Sequence, residues 1–152
     1  MAKFIDIQDR ESLNEILFSL HAGAMPAWGR LGAQSMVEHL SEAVSYTNGK
    51  NFAELDVSAD VAGKGKRICV TPEFVIPRGA PGFLEDATIK KRHKDLRAAI
   101  AALNSEINVF ELYYEVKGRT AIHPAFGALD YRDWLLWHGK HFAHHFLQFG
   151  LI

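Results

Sequence analysis

The sequence predicts an all-α fold, a four-helix bundle in a single domain over residues 1–152, with a long crossover between helices two and three. Three observations predict it. Apolar residues recur at steps of three and four through four separate segments. Glycine and proline crowd the stretches between them, where they end regular structure instead of extending it. The 152 residues, 48% hydrophobic and 23% charged, are ordinary globular composition and enough for one sizeable core.

The first helix is expected from about Asp9 to Gly23, with Leu13, Ile16, Leu17 and Leu20 on its apolar side, and Gly23 and Pro26 stopping it. The second runs from about Ala33 to Asn48, closed by Asn48-Gly49, with Met36, Leu40, Ala43, Val44 and Thr47 marking its apolar face. Residues 50–84 are the least regular part. Arg67-Ile-Cys-Val-Thr reads as a short strand or extended segment, and Pro72, Pro77 and Pro81 with Gly79 and Gly82 forbid a long helix. Such a connection is expected to cross over the bundle and cover a pocket. The third helix carries a heptad-like seam of Ile89, His93, Leu96, Ile100, Leu103, Ile107 and Phe110. A turn through His123-Pro-Ala-Phe-Gly leads to the last helix, which Asp130 caps, with Asp133 in its first turn and Gly150 at its end.

Formal net charge is −1, so nothing in the balance calls for a nucleic-acid or membrane partner. The single cysteine, Cys69, allows no internal disulfide and suits a cytoplasmic location. The opening Met1-Ala-Lys-Phe-Ile-Asp lacks the apolar stretch of a signal peptide.

Half of the histidine in the chain lies in His138-Gly-Lys-His141-Phe-Ala-His144-His145. Positions 141 and 145 stand one helical turn apart on one face. Trp134, Trp137, His138, Phe142 and Phe149 share that broad face, so the imidazoles point inward. A buried imidazole without a partner costs roughly 1–3 kcal/mol per unsatisfied group, and coordination of one divalent metal removes the cost. His39, on the apolar side of helix two, is the expected third ligand. Three protein ligands leave a coordination position open, as catalytic sites do. His138 and His144 are expected around the centre or at the surface, Gln148 to anchor a ring nitrogen, and His123 to line the pocket mouth. Trp28, Trp134 and Trp137 are expected to wall the pocket. Metal held by such rings should leave on acidification, because protons compete near the ordinary imidazole pKa of about 6.5.

Met36-Val-Glu-His39-Leu, His123-Pro-Ala-Phe-Gly127-Ala-Leu-Asp-Tyr-Arg-Asp-Trp134 and His141-Phe-Ala-His144-His145-Phe-Leu-Gln148-Phe-Gly150 together resemble the DinB/YfiT-like superfamily of metal-binding four-helix bundles, most closely a bacterial branch of it. The resemblance covers helices two and four. It implies a long second-to-third crossover, nickel or zinc on His39, His141 and His145, and a homodimer. Relatives with assigned activities transfer thiol cofactors, and others are proposed hydrolases. The resemblance therefore implies a small-molecule substrate and a thiol cofactor as partners. A non-catalytic metal-binding or oligomerisation module is the competing expectation.

Other features point elsewhere less strongly. Gly63-Lys-Gly-Lys-Arg lacks the spacing of a phosphate loop and reads as a solvated turn. Lys90, Lys91, Arg92, Lys94 and Arg97 form a basic face on helix three. Glu38 and Glu42 flank His39 and are candidates to orient its ring. Cys69, in an apolar context, reads as core and not as a nucleophile.

Overall fold

The computed structural model describes residues 3–78 and 91–152. Within them the order is α1 (Arg10–Ser19), α2 (Ala33–Ser45), α3 (Ala59–Cys69), α4 (Leu96–Tyr114), β1 (Ala121–His123), β2 (Gly127–Leu129) and α5 (Tyr131–Gln148). The described chain is thus mostly helical, with one antiparallel hairpin pairing Ala121 with Leu129 and His123 with Gly127. None of the described helices is long and apolar enough to cross a membrane.

α1, α2, α4 and α5 supply one continuous core, into which Leu13, Leu17, Met36, Leu40, Leu103, Ile107, Phe110, Trp134 and Phe142 are fully withdrawn. Ile5 and Ile7 join it from the N-terminal segment, tied by the Ile5 N–H donating to the Gly139 carbonyl at 3.0 Å. α2 lies chiefly along α4 and also touches α5. Caps set the starts: the Asp9 carboxylate accepts from the Ser12 N–H, and Asp95 accepts from Ala98. Asp130 and Asp133 form a reciprocal capping box on α5. α1 stops at Ser19, short of Gly23, because Leu20 is already extended. α2 stops at Ser45, and Gly49 at φ +85° completes the turn that follows.

The connection expected to be irregular contains α3. Arg67, Ile68 and Cys69 are its last turn and not a strand, and Gly63 to Arg67 are helix and not a solvated turn. Ser58 caps it, Asp60 sits in its first turn, and Lys66 and Arg67 in its last, all matching the helix dipole. Two glycines cost about 1 kcal/mol each in a helix, which is why the sequence reads as a turn. Tertiary packing explains one of them. A Cβ on Gly65 would stand 2.8 Å from the Phe126 ring, so the close approach of the hairpin at this position needs glycine.

The α4 seam is buried from Leu96 to Phe110, while Ile89, Lys90, Gly79, Pro81 and Gly82 lie outside the described residues. His93 precedes the helix instead of lying on the seam. There the buried Glu38 carboxylate accepts from the backbone N–H groups of Arg92 (3.0 Å) and His93 (2.9 Å), and from Gln34 at 3.2 Å. His93 Nδ1 stands 3.0 Å from the same oxygen. Glu38 therefore anchors the entry to α4 and does not orient His39. Glu42 pairs with Arg92 at 3.0 Å. Glu38→Ala should cost about 3 kcal/mol, since it strands several part-buried donors at once, and lower the Tm by roughly 6–12 °C. A thermal melt within 2 °C of wild type, on any scale of error, would remove Glu38 from this role.

Candidate metal centre

α2 carries His39 across to the face of α5 on which His141 and His145 stand one turn apart. The three rings form a near-equilateral cluster, with centroids 5.0, 4.9 and 4.8 Å apart and planes steeply inclined. Nε2 of His141 lies 3.1 Å from Nε2 of His39 and 3.1 Å from Nε2 of His145. The three ligand nitrogens all fall within 4.8 Å of one another. All three residues are buried, at 5–8% exposure. A metal ion could be held there.

The protons available do not satisfy this cluster. His145 Nδ1 lies 2.6 Å from Gln148 Oε1, which can only accept, so the ring proton is on Nδ1 and Nε2 is a bare lone pair. His141 Nε2 can carry one proton at most, yet faces two nitrogens. If it carries that proton, its own Nδ1 is an acceptor without a partner. If it does not, two lone pairs meet at 3.1 Å. Nδ1 of His39 and of His141 has no hydrogen-bond partner. A divalent cation takes three lone pairs at once and removes the conflict. Nitrogens on a tetrahedral zinc at ~2.0–2.1 Å stand ~3.3 Å apart, close to the two 3.1 Å separations observed.

Burial prepares the rings as ligands. Desolvation pushes His39 down to about 4, partly offset by Glu42, and His145 down to about 3 despite its Gln148 bond. His141 is held well below the ordinary range by desolvation, then by His145 and His39. All three are neutral near pH 7, the form that binds metal.

The other expected site residues separate into distinct roles. Gln148 orients His145, as described. His138 is fully buried one turn deeper, its Nε2 2.9 Å from the Thr47 hydroxyl. That hydroxyl donates to the Val44 carbonyl, so His138 donates to Thr47. His138 is thus a core histidine stacked on Trp134, pushed by desolvation down to about 3. Trp134 is core too, its indole N–H donating to the Ala121 carbonyl at 3.2 Å. Trp137 does wall the centre, 4.6 Å from the His141 ring. His123, the last residue of β1, is buried and stacked on Phe126 at 4.3 Å, and is not at a pocket mouth. It contacts Trp137, which walls the centre. His144 is half-buried at the rim, hydrogen-bonded to the Ile76 backbone and 6.3 Å from Trp28. Cys69 is buried and its thiol pushed up to about 11 by desolvation, so it stays protonated.

One residue near the site was not legible as such. Lys140, on the side of α5 that the pattern marks as polar, is 5% exposed. Its ammonium donates to the Cys69 and Thr71 carbonyls, closing the C-terminus of α3. With His144 one turn later, it pins residues 69–76 onto α5. Among the described residues, part of the connection thus reaches the edge of the centre.

A family model described as a protein of unknown function (DUF1569) matches residues 83–150. That span includes His141, His145 and Gln148 and leaves out His39. No curated protein and no solved structure matches the chain.

Proposed function

We propose that the chain is a metal-dependent enzyme that holds one divalent cation on Nε2 of His39, His141 and His145 and acts on a small molecule. The observation that carries this reading is the convergence of three buried, neutral Nε2 atoms with too few protons to share. Zinc and nickel both suit an all-imidazole donor set. When bound, the cation would supply a Lewis acid that lowers the pKa of a water or thiol brought to it. Gln148 sets the His145 tautomer, and Trp137 with the surrounding core excludes bulk water. Hydrolysis of a small molecule and transfer of a low-molecular-weight thiol both follow from that chemistry.

The DinB/YfiT-like four-helix bundle belongs to the same proposal. Its support is positional: four helices share the core, and the ligands fall on the second helix and on the last. A homodimer follows from that resemblance, and a cytoplasmic location from the lone cysteine. The second reading is a non-catalytic module with a structural metal, favoured by the 5–8% exposure of the three rings.

Elemental analysis after exposure to zinc or nickel should find one ion per chain. The cobalt-substituted protein should then change its visible spectrum when a small thiol or azide is added, showing an open position. No retained ion would defeat both readings of the centre, and a cobalt spectrum indifferent to added ligands would leave only the structural one.

A further inference from the structure

Imidazole is an uncharged ligand, and no carboxylate is among the grouped ligands. A divalent cation held by them keeps its full charge and favours an anionic partner. One arginine stands at the same edge. The Arg78 guanidinium lies 3.7 Å over the Trp28 ring. Trp28 in turn meets His144 edge-on, and His144 meets His145 at 5.2 Å.

Arg78 is unlike the other stacked arginine among the described residues. Arg119 also covers an aromatic ring, that of Tyr113, but its Nη1 donates to the Tyr113 carbonyl. Arg92 is committed to Glu42. Arg78 forms no ion pair among the described residues, and it is exposed. Stacking fixes its plane while leaving the N–H edge without a partner among the described residues, the arrangement that grips a carboxylate or phosphate with two parallel hydrogen bonds. Trp28 is anchored from below: the Ala27 N–H donates to the Gln148 carbonyl at 2.7 Å, so this loop is tied to the residue that orients His145. The Trp28 indole nitrogen is buried without a partner among the described residues.

We infer that Arg78, stacked on Trp28 beside His144, is an oxyanion subsite that selects small molecules bearing a carboxylate or phosphate next to the three-histidine centre. The inference rests on the proposed metal site for the purpose of the subsite, but the subsite can be measured without metal. Calorimetric titration with succinate, and separately with inorganic phosphate, should show saturable binding to metal-free and zinc-exposed protein alike. Arg78→Gln should weaken the better-binding probe by about tenfold or more, and Arg78→Lys by less, because a point charge replaces the fork. Arg119→Gln should bind the probe as wild type does. A preference for succinate or for phosphate identifies which oxyanion the edge accepts. If zinc fails to bind while the Arg78 dependence persists, the metal reading falls and the subsite stands. If neither probe binds, or Arg78→Gln and Arg119→Gln behave alike, the subsite does not exist.

Discussion

His141→Ala is expected to abolish stable zinc or nickel binding, whereas His144→Ala should retain it. His141 is the hinge of the cluster, the one residue whose Nε2 lies 3.1 Å from both other ring nitrogens. Loss of an outer-shell partner costs 10–100-fold in metal affinity as a rule, so Gln148→Leu should fall by about that factor and His141→Ala by more. Binding to the folded state alone, at a hundredfold over Kd, stabilises by about 2.7 kcal/mol. For a domain of this size the Tm should therefore rise by roughly 5–11 °C when metal is added to wild type or to His144→Ala. His141→Ala should show no rise. Metal-free His141→Ala should not suffer as a cavity mutant ordinarily does, because the substitution also removes two unsatisfied nitrogen contacts. Were His141→Ala to keep a wild-type metal response while His144→Ala lost it, the ligand set would be wrong.

Acidification should unfold the metal-free protein steeply between about pH 6 and pH 4. The reason is the number of imidazoles buried neutral. Burial holds His39 at about 4, His123, His138 and His145 at about 3, and His141 well below its usual value. In the unfolded chain the same rings titrate near 6.5. Below that pH the unfolded state binds more protons, so stability is complete above about 6.5 and is lost as the pH falls toward the folded values. Each group contributes about 1.4 kcal/mol per pH unit in that window, and the five together up to ~7 kcal/mol per unit. A domain of ordinary stability, about 5–15 kcal/mol, is exhausted within one to three units. Circular dichroism against pH should show one cooperative transition, with uptake of several protons measured by titration. Bound zinc should move the transition to lower pH. Native near-ultraviolet signal persisting at pH 4 without metal would contradict the buried neutral state of these rings.

The same shifts alter the expectation for metal release. Ordinary imidazoles would yield the ion near their usual pKa. These rings resist protonation while the fold holds, so release should coincide with unfolding instead of preceding it. Following metal content and ellipticity together on one acid titration separates the two.

Much of the helical content could be read from residues in order. Leu96, Ile100, Leu103, Ile107 and Phe110 repeat at three and four, and a helix is the one structure that gathers that repeat onto a single face. Asp130 and Asp133 announce their cap by spacing alone. His141 and His145 share a face for the same local reason, and the apolar company of His39, Met36 and Ala43, marks it as inward. The site's ligand geometry was legible to that extent because it is carried by local periodicity.

What lay beyond the pattern depends on contacts between distant segments. Gly65 looks like a turn until Phe126 is found against it, and the gain from packing outweighs its poor helix propensity. The strands of the hairpin are three residues each, too short for a period of two to register. Lys140 and Glu38 look solvated because charge usually is. Each is buried because a fold elsewhere presents it with backbone groups to satisfy: the end of α3 for Lys140, the entry to α4 for Glu38. Periodicity states which way a side chain faces along its own helix. Only the assembled chain decides what it faces, and so the approach of three imidazole nitrogens, the withdrawal of His138 and His123 into the core, and the placing of Arg78 over Trp28 were settled by tertiary packing.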